Sequence, residues 1–230
     1  YNRFPTIENF QLQIEEKNKN FPIENRKVLA QVLQNQYQTI EISEITSANI
    51  ELLKHSNTFT VTTGHQLNLF TGPLYFIYKI ISVINLTKEL KNTYPEYNFV
   101  TVYWMASEDH DFDEINFFSF KSKKIQWQKE SRGPVGRLNT IGLEAVFEQF
   151  SNEVGLGNNA NYLRELFEKS YLKYDNLADA TRCLANDLFK KEGLVIIDGD
   201  DSELKKLFIP YAKNELSYQT SFKKVNETIP

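Results

Sequence analysis

Cysteine is almost absent from this chain: Cys183 stands alone, which excludes an intramolecular disulfide and a thiolate zinc site. A reducing, cytoplasmic setting is therefore expected. No run approaches the roughly 20 apolar residues of a membrane span, and the N-terminus lacks a basic region followed by an apolar one of signal-peptide type, so no membrane partner is expected. Positive charge is not in excess either. The 26 Lys+Arg against 30 Asp+Glu leave a net charge of -4, no footprint for a phosphate backbone, and no nucleic-acid partner is expected. Methionine occurs only at Met105, and Pro230 directly follows a helical pattern. The sequence reads as the N-terminal part of a longer chain.

What is present suffices for one substantial core, since 41% of 230 residues are hydrophobic. Residues 1–57 read as a helical lead-in, with Ile7, Phe10, Leu12 and Ile14, then Val28, Leu29, Val32 and Leu33, then Ile50, Leu52 and Leu53 at helical spacing. At Phe59 the period becomes two (Phe59, Val61, Thr63), which predicts a strand. Thr71 and Pro73 read as the cap and first turn of a helix to about Lys91. That helix is apolar on most of its circumference, with Lys79, Ser82 and Glu89 as a narrow polar stripe, a pattern of burial on nearly all sides. Phe99 to Trp104 reads as a second, fully covered strand. Strand, helix, strand predicts a parallel βαβ unit.

A hairpin is expected over 117–128, helices over 142–153, 159–172 and 176–191, a third strand over 194–198 and a last helix from Asp201. The fold class is α/β, a Rossmann-like parallel core over 58–230 with flanking helices and an inserted hairpin and helical segment at about 117–190.

In such sheets ligands bind outside the carboxyl ends of the strands, where three clusters fall. Gly64-His65-Gln66 offers a flexible backbone and an imidazole able to bond a phosphate or a developing negative charge. It is neither a G-x-G-x-x-G fingerprint nor a P-loop. In Ser107 to Glu114, Asp111 and Glu114 suit a capping box. Glu108, Asp109 and His110 are left for metal binding, acid/base work or pairing with a cationic substrate group. Asp198 suits a ribose hydroxyl, a substrate amine or a turn. Lys79 is expected to reach solvent or an acid. Cys183 reads as a small core residue.

Two blocks, Thr63-Gly64-His65-Gln66 with Phe70-Thr71-Gly72-Pro73-Leu74-Tyr75-Phe76-Ile77-Tyr78-Lys79, and Val102-Tyr103-Trp104-Met105-Ala106-Ser107-Glu108-Asp109-His110-Asp111-Phe112, resemble the cysteine-adding enzyme family of bacillithiol synthesis. The resemblance implies a ligase that joins cysteine to glucosaminyl malate. It implies a core similar to class I aminoacyl-tRNA synthetases and nucleotidyltransferases. It further implies a coiled-coil part beyond residue 230 that makes a homodimer. In those synthetases a His-x-Gly-His motif binds ATP; here Gly64-His65 match its second half and Thr62 replaces the first histidine. The resemblance thus points to ATP or ADP at Gly64, His65, Gln66, Thr71 and Gly72. It points to catalysis by His65, Glu108, Asp109 and His110, and to substrate binding by Glu108, Asp109, Asp111 and Asp198, without a metal. The competing readings are a non-catalytic nucleotide-binding module and a metal-dependent hydrolase using Asp109, His110 and Asp111.

Overall fold

The structure, a computed structural model, describes residues 3–229. Three helices come first, α1 (Ile7–Asn20), α2 (Ile23–Gln36) and α3 (Glu44–Leu52). Strand β1 (Thr58–His65) leads through a tight turn at Leu69–Thr71 into α4 (Tyr75–Thr93) and β2 (Asn98–Met105). A single turn, α5 (Phe112–Ile115), precedes the antiparallel hairpin of β3 (Phe117–Phe120) and β4 (Lys123–Gln126). Then come α6 (Leu143–Val154), α7 (Asn158–Tyr171), α8 (Leu177–Phe189), β5 (Val195–Asp198), α9 (Ser202–Tyr218) and α10 (Thr220–Thr228). Asp201 caps α9 by accepting from Glu203 N and Leu204 N.

The three predicted strands form one parallel sheet in the order β1-β2-β5. His65 lies opposite Met105, and Met105 opposite Asp198, so all three carboxyl ends finish level. α4 packs across β1 and β2, with Phe76 edge-on to Tyr103 at 5.4 Å and Thr101 Oγ1 donating to Thr87 Oγ1 at 2.9 Å. Residues of α2, of α3 and of their C-caps, within the stretch read as a lead-in, join the main core through Ala30, Leu33, Tyr37, Ile50 and Leu53. Cys183 is a buried core residue of α8.

A second packing centre ties the β1–α4 loop to the hairpin and the helical segment. The Phe70 ring lies 5.4 Å from Phe118, 5.0 Å from Phe150 and 5.2 Å from Phe167, and Tyr171 Oη accepts from Phe70 N at 2.9 Å. These fix a loop that the sequence reading placed differently. Thr71 does not cap α4; it sits in the preceding turn at φ 68°, and the helix begins at Tyr75 with no side-chain cap. Three successive residues, Phe70, Thr71 and Gly72, have positive φ, a conformation that persists only where surrounding packing imposes it.

Nor is α4 covered on nearly all sides. Phe76, Ile80, Ile84, Thr87 and Leu90 are buried, whereas Leu74, Tyr75, Tyr78 and Ile81 are exposed. A three-stranded sheet reaches only one side of the helix. Lys79 reaches solvent, as expected, and its Nζ also donates to Gly64 O at 2.6 Å.

Phe150, 1% exposed and in contact with four other phenylalanines, sets the test of this centre. Phe150→Ala is expected to lower unfolding free energy by about 3–5 kcal/mol. Leu156→Ala, at a 97% exposed site, is expected to change it by under about 0.5 kcal/mol. Urea titrations of both variants measure the difference.

Candidate functional site at the carboxyl ends of the sheet

The level strand ends bring the three predicted clusters together, and two side chains join them. Gln66, just past β1, donates through Nε2 to Asp109 Oδ2 at 3.0 Å and to Glu114 Oε2 at 2.8 Å. Ser107, just past β2 and 1% exposed, donates through Oγ to Asp198 Oδ1 at the end of β5. Asp198 Oδ1 also accepts from Asp200 N at 2.9 Å, so the turn role and the place in the site coincide.

The capping box does not form. Asp111 makes no side-chain cap to α5, and Glu114 is turned to Gln66. Asp109 orders this loop instead: its Oδ1 accepts from His110 N at 2.7 Å and Asp111 N at 3.1 Å. The Gln66 bond, foremost, and these backbone donors hold the Asp109 carboxyl below its usual range.

Glu108 is not a free acid. Lys205 of α9 places Nζ 2.7 Å from Glu108 Oε1 and also pairs with Asp200, which Arg137 grips through Nε at 2.5 Å and Nη2 at 2.8 Å. Behind Asp198 lies Arg182, 2% exposed, paired with Asp179 at 2.6 Å and 4.0 Å from Asp198 Oδ2. His110 and Asp111 are exposed, with His110 Nε2 3.8 Å from Asp111 Oδ1. They line a depression of about 430 Å³ with Phe112, Asp113, Glu114, Lys129 and Ser131.

His65 is 7% exposed, with the Tyr75 ring at 4.9 Å and Phe76 edge-on at 5.2 Å. The sequence reading set it at the mouth of a pocket; packing against the first turn of α4 covers it. Its Nδ1 lies 3.0 Å from Gln66 O, so in the neutral ring Nδ1 carries the proton and Nε2 is an acceptor. That Nε2 is buried without a partner, as is Oδ1 of the adjacent Asn68. Burial pushes the imidazole pKa down, the Gln66 carbonyl opposes this, and the Lys79 charge adds to the fall. Gly72, at φ 47°, passes so close to Asn68 that a Cβ would lie 2.5 Å from its Cβ.

Asn68, Arg137, Arg182 and Lys205 were not singled out in the sequence. Each reaches the site from a segment whose local pattern is that of a turn, a core helix or a solvated helix face. Among the described residues, Asp109, His110 and Asp111 also form a group whose ligand-type atoms lie within 4.8 Å of one another. All three donor contacts to Asp109 already occupy its oxygens.

A parallel α/β sheet with polar side chains and a helix start gathered at its carboxyl ends defines a Rossmann-like domain. Residues 1–230 match the family model described as "Bacillithiol biosynthesis BshC, N-terminal Rossmann-like domain", and the chain belongs to that family. It is 66% identical over 229 residues to a Flavobacterium johnsoniae protein and 63% identical over 230 residues to one from Flavobacterium psychrophilum, both carrying the cysteine ligase BshC name. All of this chain and 43% of each relative are covered. A Bacillus anthracis protein of the same name is 32% identical over 201 residues, covering 84% of this chain and 37% of the relative. The chain thus spans less than half the length of these relatives. Among the described residues no helix is long and apolar enough to cross a membrane.

The buried, neutral His65 gives a pH test. Its folded pKa lies below the ordinary value of about 6.5, so between the two values the unfolded chain binds a proton that the folded chain refuses. Its contribution to stability is therefore complete above about pH 6.5 and declines as pH falls toward the folded value. His65→Gln should give a shallower loss of the urea midpoint between pH 7 and 5.5 than the unsubstituted protein; parallel curves would show that His65 does not titrate this way.

Proposed function

We propose that the full-length protein joins cysteine to glucosaminyl malate through an amide bond, as a cytoplasmic BshC-type ligase, with this domain's strand ends holding the reacting groups. The joining of all three strand-end clusters by Gln66 and Ser107, in a member of this family, carries the reading. Both substrates carry an ammonium group, and the acids supply the sign to receive one. Asp111 has the least charge compensation among them, since Glu108 faces Lys205, Asp109 is held by three donors, and Asp198 is bonded to Ser107 with Arg182 nearby. Asp111 then contacts the ammonium at the depression, and Asp109 and Asp198 position the loop and its neighbours. His110 stands beside it, able to exchange a proton with the amine.

His65, with Nε2 as an acceptor, suits the N–H of an amine better than a phosphate. Asn68 stands beside it as a second buried acceptor. For ATP or ADP, the uncapped N-terminus of α4 and the Lys79 ammonium at Gly64 O fit an anionic ligand near Gly64, Thr71 and Gly72. Gln66 does not fit as freely, because its amide is committed to Asp109 and Glu114. ATP bound there would supply carboxyl activation, with its phosphate or pyrophosphate as the group that leaves; ADP would not. The homodimer is assigned to the part of the full-length protein outside this chain.

The hydrolase reading asks Asp109 for a metal while its oxygens serve Gln66 and two backbone amides, which favours the ammonium reading. In the full-length enzyme, Asp111→Asn is expected to raise KM for one amine-bearing substrate about tenfold, leaving Tm unchanged. Inactivation by chelator with restoration by a single metal ion would overturn it in favour of the hydrolase.

A further inference from the structure

The chain between β1 and α4 is buried where a loop ordinarily runs over the surface. Leu67, Asn68 and Leu69 are 0%, 4% and 1% exposed, and a buried backbone outside a ladder must find other partners for its N–H and C=O groups. Two tyrosine hydroxyls from distant elements supply them. Tyr103 of β2 donates to His65 O and Gln66 O, at 3.4 Å each, where the loop begins. Tyr171, the last residue of α7, accepts from Phe70 N at 2.9 Å where it ends. Both tyrosines are 0% exposed, and burial holds both hydroxyls above the ordinary tyrosine range, so each keeps its proton at neutral pH.

The two ends differ in what the hydroxyls hold. His65 O also accepts from Ala106 N at 3.0 Å, and Gln66 O faces His65 Nδ1. Phe70 N is served by a hydroxyl 101 residues away in sequence. From there the backbone stays at positive φ for three residues, 47°, 68° and 47° at Phe70, Thr71 and Gly72. For the β-branched Thr71 that is an outlier, kept only where the surroundings determine it. Gly72 N bonds Leu69 O at 2.9 Å inside the turn, and Gly72 lies against Asn68, so a shift of the Phe70 amide carries Thr71 and Gly72 with it.

We propose that Tyr171 is a positioning residue for nucleotide binding: its hydroxyl, brought in on α7, holds the Phe70 amide and thereby sets the backbone of Thr71 and Gly72 against the phosphates. The proposal rests on the reading that ATP or ADP lies near Gly64, Thr71 and Gly72. Tyr171 acts through Phe70 and touches no ligand itself. Tyr171→Phe keeps the ring that lies 4.9 Å from Phe167 and removes only the acceptor.

The test is equilibrium binding of ATP and of ADP to the full-length protein, with amide exchange at Phe70 and urea unfolding measured on the same samples. Tyr171→Phe is expected to weaken nucleotide binding about tenfold, the loss of one buried hydrogen bond. It is expected to speed exchange at Phe70 and to leave KM for both amine-bearing substrates unchanged. Because the hydroxyl stays protonated, the loss should be equal at about pH 6 and about pH 8. Ile14→Ala, in the separate apolar cluster of α1, is expected to lower the urea midpoint while leaving nucleotide binding unchanged. Unweakened binding by Tyr171→Phe would overturn the role of Tyr171, and so would an equal weakening in Ile14→Ala, which would trace the loss to stability alone. Failure of the unsubstituted protein to bind either nucleotide would strike the nucleotide reading itself, and this role with it.

Discussion

The level, parallel pairing of β1, β2 and β5 is the constraint on which the rest of the molecule depends. Because His65, Met105 and Asp198 lie side by side, three chain segments far apart in sequence leave the sheet at one height. Side chains no longer than glutamine and serine then suffice to join them. A slip of one strand by a single residue would turn its side chains to the other face and separate Gln66 from Asp109 or Ser107 from Asp198.

Charge at this edge is organised rather than simply acidic. Arg137, Arg182 and Lys205 offset Asp200, Asp179 and Glu108, while Asp109 is steadied by neutral donors. The buried Arg182 gains from this arrangement, since an unpaired guanidinium at 2% exposure would be costly. The acids without a lysine, arginine or several hydrogen-bond donors are fewer than the composition of the acidic run suggests, and the exposed Asp111 is one of them.

The loop between β1 and α4 is held from a distance. Phe70 enters the aromatic cluster of the hairpin and helical segment, and its amide N–H donates to Tyr171 Oη, 101 residues further along the chain. This fixes the positive φ values at Phe70 and Thr71 and carries α4 to its start at Tyr75. The inserted segment therefore shapes the loop that leads from β1 into α4.

The sequence by itself determined the element types, because period two at Phe59–Thr63 and the almost continuously apolar or β-branched runs at Phe99–Trp104 and Leu194–Ile197 reflect forces local to each strand. It also determined that Gly64-His65, the Ser107–Asp111 run and Asp198 would share one edge, since strand direction places them there. Only the tertiary structure decided which acids were free, that His65 was covered, that Thr71 sat in a strained turn and that α4 kept an exposed side. Those outcomes depend on Lys205, Arg137, Tyr75 and Phe150 arriving from distant segments, and a hydrogen bond or ring contact between such residues leaves no periodic mark in the chain.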